Sequence, residues 1–143
     1  MKRSSQGFTL LEMLVVIVLI AVAVGLGSVG LSQGLQANRE RQALRDMVYA
    51  LRQTRTTAVV ANAAQSMRFD LAAGWYQAPG QPRHVWPQQW QVQLTTAREQ
   101  GSAIAFFPDG SSNGANLLIS RGERRWRIDV AWLTGDVRAK ALP

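Results

Sequence analysis

GFTLLEMLVVIVLIAVAVGLGSVGL, residues 7–31, is the stretch of sequence that decides the fold. From Phe8 to Leu31 it is rich in Val, Leu, Ile and Ala, and one charged residue, Glu12, interrupts it. A helix of about 20 apolar residues spans the hydrocarbon core of a bilayer, so this run can cross a membrane. Lys2 and Arg3 precede the run, and the positive-inside rule places that end in the cytoplasm and the rest of the chain on the other side.

Length and composition limit what the rest of the chain can be. The chain has 143 residues, which is enough for one domain beyond the apolar run. It has no cysteine, so neither disulfide bonds nor thiolate metal sites can form. The net charge is +7, from 16 Lys and Arg against 9 Asp and Glu. Such an excess attracts anionic surfaces, either nucleic acid or lipid head groups, without showing that either is bound.

The carboxylate of Glu12 is the unusual feature of the apolar run. Placing it in lipid costs about 2.5–3.5 kcal/mol, so a residue of this kind usually has a partner and a function. A secretory signal peptide cut after Ala21-Val22-Ala23 does not explain the apolar residues that continue to Leu31. An unprocessed membrane anchor leaves Glu12 without a role.

The segment Gly7-Phe8-Thr9-Leu10-Leu11-Glu12, followed by Met13–Ile17, resembles the class III signal of type IV pilins and type II secretion pseudopilins. This resemblance implies that a prepilin peptidase cuts between Gly7 and Phe8 and that the new Phe8 amine is then methylated. It also implies that Glu12 docks on the N-terminus of a neighbouring subunit. The partners it implies are the peptidase, the inner membrane and other pseudopilins.

The resemblance also divides the chain into three parts. Residues 1–7 are a leader peptide, residues 8–31 a transmembrane and filament-core helix, and residues 32–143 an amphipathic helix with a β-rich periplasmic head. The protein is therefore expected in the bacterial inner membrane, crossing it once, and in the periplasmic pseudopilus.

A charge pair explains how Glu12 is tolerated. A buried carboxylate is acceptable when a cation and hydrogen bonds compensate it, and the α-amine of Phe8 in a neighbouring subunit is such a cation. That pair would set the axial register between subunits. Phe8 and Glu12 are also i,i+4 neighbours, so a pair within one helix remains an alternative.

The predicted fold class is α+β: a long N-terminal helix, half membrane anchor and half amphipathic, packed on an antiparallel β-rich head. The amphipathic half runs from about Gln36 to Ala63. Its apolar stripe consists of Leu44, Met47, Val48, Leu51, Ala58 and Val59.

Strand patterns fill the rest of the chain, with six or more strands expected. Ala103–Phe107 is apolar on both faces and is predicted to be central, whereas the proline-rich stretch Gln77–Gln89 is predicted to be a loop. A turn at Arg121–Glu123 predicts a hairpin. Met67, Phe69 and Leu71 are predicted to share one face of their strand, and Trp132 is predicted to face the core. The other predicted strands are Ser66–Leu71, Trp75-Tyr76, Trp90–Leu94, Leu117–Ser120, Arg124–Trp132 and Val137–Ala139.

The C-terminal half carries a second resemblance. Phe107–Gly114, Arg124–Trp132 and Leu133-Thr134-Gly135 resemble the group that contains minor pseudopilin H and the FimT pilins. Some FimT proteins bind DNA through a Gly-Arg-rich C-terminal motif, but Gly135-Asp136-Val137-Arg138 has an acid within that stretch. The resemblance therefore implies a minor pseudopilin that contacts other subunits or secreted cargo, and the alternative is a FimT-like pilin that binds DNA for uptake.

No catalytic or metal site is predicted. Gly110–Gly114 matches G-x-S-x-G, but the only histidine, His84, precedes it and no helix pattern follows it. Asp109 begins a calcium-loop-like spacing, yet Ser120 stands where the bidentate glutamate would be. We therefore expect a non-enzymatic protein without a cofactor, and the serines and glycines are explained as turn residues.

A cluster of basic residues in the C-terminal half is the candidate contact for anions or DNA. Trp126 and Trp132 are predicted to lie on the opposite, buried face, which leaves no exposed aromatic ring for base stacking. A solvated strand face that contacts other subunits is therefore favoured over DNA binding. The cluster consists of Arg121, Arg124, Arg125, Arg127 and Arg138.

Overall fold

The computed structural model describes residues 9–96 and 101–143, and within residues 26–35 it describes the backbone alone. Gly7, Phe8 and the predicted leader lie outside the described residues, as do the side chains at the end of the apolar run. The chain forms two units, Met1–Glu40 and Arg41–Pro143.

One long helix, α1, runs from Leu10 to Val60 over 51 residues. Thr9 caps its start, and the chain leaves its end through Asn62, whose φ is 47°. The amide of Asn62 donates to the Val59 carbonyl at 3.2 Å, and the amide of Ala63 donates to the Ala58 carbonyl at 3.2 Å. These are the two bonds of a Schellman motif, in which asparagine is an accepted left-handed residue. The helix predicted to end at about Ala63 therefore comprised both α1, which ends at Val60, and the residues of its cap.

The first part of α1 exposes apolar side chains on all sides. Its side chains from Leu10, 87% exposed, to Val24, 66% exposed, have no polar face apart from Glu12. Among the described residues, none of the helical stretches reaches the length and apolarity that a membrane crossing requires. An all-round apolar helix is typical of one that is covered by lipid or by other apolar helices.

Within the unit that begins at Arg41, α1 buries one stripe. Met47, Leu51 and Ala58 are fully buried, and Leu44 and Val48 pack against the same core. This confirms most of the predicted stripe. The assignment of Val59 to it was wrong, because that side chain is 45% exposed.

The last turns of α1 also bury a polar residue, Thr54. Its hydroxyl donates to the Ala50 carbonyl at 2.8 Å, which satisfies the buried polar group within the helix. A threonine can therefore occupy the core-facing stripe without a partner from the sheets.

The described residues after α1 form eight strands in two four-stranded antiparallel sheets, which confirms the predicted antiparallel head. The order is β3-β2-β1-β5 in one sheet and β4-β6-β7-β8 in the other. One hydrophobic core contains side chains from both sheets and from α1. The strands are β1 Gln65–Asp70, β2 Trp75–Gln77, β3 His84–Val85, β4 Gln91–Thr96, β5 Ala103–Phe106, β6 Ala115–Arg121, β7 Arg124–Val130 and β8 Val137–Leu142.

Strand β5 is at the edge of its sheet, so the prediction that it is central was wrong. Its side chains are nevertheless buried, and Asn113 pairs with its free edge. The side-chain Oδ1 of Asn113 accepts from the Ala105 backbone amide at 3.0 Å, and the backbone amide of Asn113 donates to the Ala105 carbonyl at 3.1 Å. Because one asparagine satisfies this edge, the strand is buried without a neighbouring strand there.

The proline-rich stretch predicted as a loop is more ordered than composition suggests. It contains β3, and Trp86, just after that strand, is buried. The amide of Trp86 donates to the Gly74 carbonyl at 3.1 Å, which ties the stretch to the turn before β2. Trp90 is also buried, with its ring 6.1 Å from the ring of Trp126.

The hairpin predicted at Arg121–Glu123 is confirmed. Arg121 and Arg124 are register partners, and Gly122 in the two-residue turn has a φ of 55°. Leu71 and Trp132, predicted as the last residues of strands, lie beyond the strand ends, and Trp132 does not face the core as predicted. Leu71 is 40% exposed in the turn after β1, and Trp132 is 66% exposed because β7 ends at Val130.

Tyr76 is a titratable group whose pKa is raised by burial. It lies in β2 with its ring 6.2 Å from that of Phe69, and the ring of His84 stacks on it at 5.4 Å. Burial, and secondarily the negative charge of Asp46, raise the pKa of Tyr76 to about 12.

We predict that Tyr76 makes the fold sensitive to alkali. An unfolded tyrosine loses its proton near a pKa of about 10, whereas folded Tyr76 holds it to about 12. The stabilisation is therefore fully present below pH of about 10 and is lost as the pH rises toward 12. Urea unfolding of the detergent-solubilised chain at increasing pH should show a fall in the free energy of unfolding. Tyr76→Phe should reduce the slope of that free energy against pH by the equivalent of up to about one proton.

Tyr49 provides the control for this experiment, because it is the other tyrosine and is 67% exposed. Tyr49→Phe should leave the alkaline slope unchanged. Equal slopes for the native chain and Tyr76→Phe would contradict the prediction.

Candidate functional site

Glu12 lies in the first turn of α1, three residues after the capping residue Thr9. The Glu12 amide donates to the Thr9 carbonyl at 3.1 Å and lies 3.3 Å from the Thr9 hydroxyl oxygen. Thr-x-x-Glu at this place is the sequence of a capping box, which satisfies free amides at a helix start. The Thr9-x-x-Glu12 spacing is visible in the sequence, and it gives Glu12 a local role beside the predicted intermolecular one.

The side chain of Glu12 is exposed in the single chain. It is therefore free to face a neighbouring molecule while its backbone takes part in the cap. Gly7 and Phe8 lie outside the described residues, so cleavage, methylation and the pairing of Phe8 with Glu12 stay predictions.

Three of the five predicted arginines share the face of the β4-β6-β7-β8 sheet that is opposite the core. Arg125 and Arg127 alternate along β7 with the core-facing side chains, and Arg127 is the register partner of Lys140. Arg138 joins them because it pairs in register with Asp129 on the same face. We call Arg125, Arg127, Arg138 and Lys140 the basic sheet face.

Carboxylates are placed among the cations of the basic sheet face. Asp129 Oδ2 accepts from Arg127 Nε at 3.1 Å and lies 3.7 Å from Lys140 Nζ. Asp129 Oδ1 accepts from the Asn116 side-chain amide at 2.5 Å. Asp129 thus compensates two cations of this face, and the sheet itself positions it to do so.

Arg138 is compensated by the acid that interrupts the Gly-Arg pattern. Arg138 Nε donates to Asp136 Oδ2 at 2.7 Å, and this bond lowers the pKa of Asp136 below its usual range. Arg125 donates to the carbonyl of Pro143 at 2.8 Å. The face therefore offers fewer uncompensated charges to phosphate groups than its arginine content implies.

Arg121 and Arg124 lie beside the Gly122-Glu123 turn at the end of the β6-β7 hairpin. Strand β8 pairs with β7 between Arg125 and Val130. Arg121 and Arg124 therefore lie beyond this paired region and are not opposite the cations of β8. The five predicted arginines therefore form one group on the sheet face and one at the hairpin end.

Two segments singled out in the sequence meet at one place in the head. The Ser112 amide donates to the Trp132 carbonyl at 2.8 Å, and the Ser112 hydroxyl donates to the Ala131 carbonyl at 3.0 Å. An open cavity of about 530 Å³ lies between the loop at Asp109 and the turn at Leu133. We call it the Trp132 groove; it is lined by Phe107, Asp109, Ser111, Ser112, Asn113, Trp132 and Leu133.

The side chains of the apparent G-x-S-x-G match serve this loop. Asp109 Oδ1 accepts from the Ser111 hydroxyl at 2.6 Å and from the Ser111 amide at 3.0 Å, and these bonds lower the pKa of Asp109. The side chain of Asn113 accepts a hydrogen bond from the Ala105 amide of β5. His84 is exposed and stacks on Tyr76.

Arg55 of α1 holds the two segments from the helix side. Its Nε donates to the Gly110 carbonyl at 2.9 Å, and Gly135 lies directly against the same carbonyl. Gly135 has a φ of 62°, and a Cβ there would collide with the Gly110 carbonyl and with the Arg55 side chain. Arg52, one turn earlier, donates to the Val137 carbonyl at 2.9 Å.

Two known families match this chain. The prokaryotic N-terminal methylation motif matches residues 2–28, and the family described as type II transport protein GspH matches residues 43–135. The type II secretion system protein H of Xanthomonas campestris pv. campestris is 38% identical over 146 residues. That similarity covers 99% of this chain and 86% of the relative.

Solved structures share the fold. The minor pseudopilin EpsH from the type 2 secretion system of Vibrio cholerae superposes with a TM-score of 0.59 at 11% identity, over 72% of this chain and 97% of that chain. The type IV minor pilin FimU of Pseudomonas aeruginosa superposes with a TM-score of 0.56 at 13% identity, over 76% of this chain and 91% of that chain. The pilin-like fold predicted from the sequence is thereby confirmed.

We predict that the close approach at Gly135 is essential for the head. Gly135→Ala should lower the free energy of unfolding because a left-handed alanine costs about 1–2 kcal/mol. The clash with Gly110 and Arg55 should add about 1–3 kcal/mol. Urea unfolding monitored by tryptophan fluorescence would measure both contributions.

Gly80→Ala is the matched control, since Gly80 has a φ of 68° and a Cβ there meets nothing within 4 Å. It should show the backbone cost alone. Equal losses for the two variants would show that the contact between Gly135 and Gly110 contributes nothing.

Proposed function

This chain belongs to the type II transport protein GspH family, and we propose that it is a non-catalytic subunit that a prepilin peptidase trims before filament assembly. It is a minor pseudopilin of a type II secretion system, a structural subunit of the pseudopilus. The observation that carries this conclusion is the similarity to a protein H, which extends through both the N-terminal helix and the head. Other pseudopilins are its partners, and secreted cargo is a further proposed partner.

The subunit is membrane-anchored, and we propose that residues 8–31 form the anchor with the N-terminus in the cytoplasm. The exposed apolar side chains between Leu10 and Val24 support this, because they need a covering of lipid or of other helices. Residues 1–7 are the proposed leader. Residues 32–143 then form the periplasmic part, with the basic residues Lys2 and Arg3 retained on the cytoplasmic side until cleavage.

Glu12 is the proposed docking residue in the filament core. Its exposed side chain and its place in the first turn support contact with the Phe8 amine of a neighbouring subunit. A carboxylate and an ammonium group that leave water together compensate each other, whereas either alone is costly. Register between subunits would follow from this pair.

DNA uptake, as in a FimT-like pilin, is the alternative that the basic residues raise. The bonds of Asp129 to Arg127 and of Asp136 to Arg138 favour a protein-contacting face instead. In a protein with this network, neighbouring carboxylates repel the phosphates that the arginines would attract. We therefore propose that the basic sheet face contacts subunits or cargo.

We predict that the mature protein begins at Phe8. Intact-mass spectrometry of the protein from cells with the secretion system should show loss of Met1–Gly7 and one methyl group on the Phe8 amine. In cells without the prepilin peptidase, the same protein should keep Met1 and carry no methyl group. An N-terminus after Ala23 would instead identify a secretory signal peptide and would remove this proposal.

A second prediction separates the two roles of Glu12. Glu12→Gln retains the hydrogen-bonding group of a capping box but loses the charge. If the charge pairs with the amine of a neighbour, the fraction of protein that co-purifies with other pseudopilins should fall at least about tenfold, at unchanged membrane level. Quantitative immunoblotting of the two fractions would measure this.

Glu123→Gln is the control for charge removal, because Glu123 is exposed in the hairpin turn. Thr9→Ala tests the cap itself and should weaken the helix start by about 0.5–2 kcal/mol. Normal assembly of Glu12→Gln would mean that Glu12 acts through the cap and not through a neighbour.

A further inference from the structure

The Trp132 groove exposes two large apolar side chains next to each other. Trp132 is 66% exposed and Leu133 is 64% exposed, although both lie in a well-packed head. A tryptophan in this position gains free energy when a partner covers it, and tryptophan is among the residues most enriched in interface hot spots. The exposure is therefore a cost to the isolated chain that a partner can remove.

Hydrogen bonds hold the turn that carries these side chains. The Gly135 amide donates to the Ala131 carbonyl at 2.8 Å, and the Ala131 amide donates to the Asp136 carbonyl at 2.9 Å. Ser112 adds two bonds from the other side, to the carbonyls of Ala131 and Trp132. Because the backbone is already ordered, a partner that covers Trp132 does not have to order this turn.

Charge restricts the chemistry of that partner. Asp109 is the charged side chain among the groove residues, and it is exposed. Hydrogen bonds from Ser111 lower the pKa of Asp109, so it is ionised at neutral pH. Phosphate groups of nucleic acid or of anionic lipids are therefore disfavoured here, and a lysine or arginine is favoured.

A symmetric pair of copies of this chain is also disfavoured. A two-fold interface centred on the groove would bring Asp109 toward Asp109 of the second copy, and like charges across an interface are costly. The occupant that fits is a different chain with an apolar side chain and a cation close together. In the pseudopilus, the neighbouring chains are other pseudopilins.

We propose that the Trp132 groove docks a segment of another pseudopilin, which inserts an apolar side chain beside Trp132 and Leu133 and presents a lysine or arginine to Asp109. This inference rests on the proposed function, since it requires that the chain assembles with other pseudopilins. It adds the surface used and the chemistry of the partner segment.

A photo-cross-linking amino acid at Leu133 of the full chain tests the proposal in cells with the complete secretion system. We expect a cross-link to another pseudopilin, and mass spectrometry should locate it in a segment with a lysine or arginine near an apolar residue. Trp132→Ala should lower the cross-link yield at least about tenfold, as expected for a hot spot. Val85→Ala, at a side chain 72% exposed outside the groove, should leave the yield unchanged.

Asp109→Asn tests the charge separately. The asparagine keeps an oxygen to accept the Ser111 amide, so the loop is retained while the negative charge is lost. The cross-link yield should fall about two- to fivefold, as for a partly exposed ion pair. An unchanged yield with Asp109→Asn or with Trp132→Ala would overturn the proposed chemistry of the groove.

A second cross-linking position at Val16, in the apolar part of α1, separates this inference from the proposed function. Cross-links to other pseudopilins from Val16 but none from Leu133 would overturn the groove proposal while the proposed function stands. An absence of cross-links at both positions would contradict both. A cross-link from Leu133 to a second copy, a secreted protein, lipid or DNA would also overturn the groove proposal.

Discussion

The head depends on the burial of one helical stripe. Met47 and Leu51 are fully buried in a core that also contains the inner side chains of both sheets. A four-stranded sheet with one apolar face is not stable in water unless something covers that face. Because α1 contributes to the core that both sheets share, the burial of each large side chain in it, worth about 1.5–3 kcal/mol, stabilises helix and sheets together.

Polar bonds from the same helix determine where the loops of the head lie. Arg55 holds the Gly110 carbonyl and Arg52 holds the Val137 carbonyl. Gly135 permits the approach of two loops because it has no side chain and takes a positive φ. The position of the Trp132 groove therefore follows from the helix, although the groove itself is built from loops. The proposed surface for another subunit is thus supported by the most buried part of the head.

The charged residues support the proposal that the basic sheet face contacts proteins. Asp129 follows Arg127 on the same face of β7 and lies beside Lys140 of β8, so it reaches both cations. Ionic pairs at such a surface contribute little to stability. They do, however, set which partners are repelled and in which register a complementary surface can bind. The effect of the ion pairs on partner selectivity matters more for a filament subunit than for an enzyme, because the function of a filament subunit depends on which proteins it contacts.

Much of the fold could be predicted from local patterns. The apolar run and the Thr-x-x-Glu spacing are properties of consecutive residues, as are the helical stripe and the β6-β7 hairpin turn. Each is decided by side-chain period or backbone preference over a few residues. The same holds for the prepilin signal, whose meaning comes from residues next to one another in the chain.

The errors concern residues whose environment depends on distant segments. Ala103–Phe107 is apolar on both faces, yet its strand lies at the edge of its sheet, where Asn113 of the following loop satisfies the free backbone groups. Trp86 is buried in a stretch whose prolines suggested a loop, and Trp132 is exposed beyond the end of its strand.

By itself, the sequence determined the helix, the strand periodicity and the signal at the N-terminus, because these arise from neighbouring residues. Only the tertiary structure decided which tryptophans are buried, which acids compensate the arginines and where the Trp132 groove opens. The physical reason is that burial and ion pairing depend on which distant segments the folded core brings into contact.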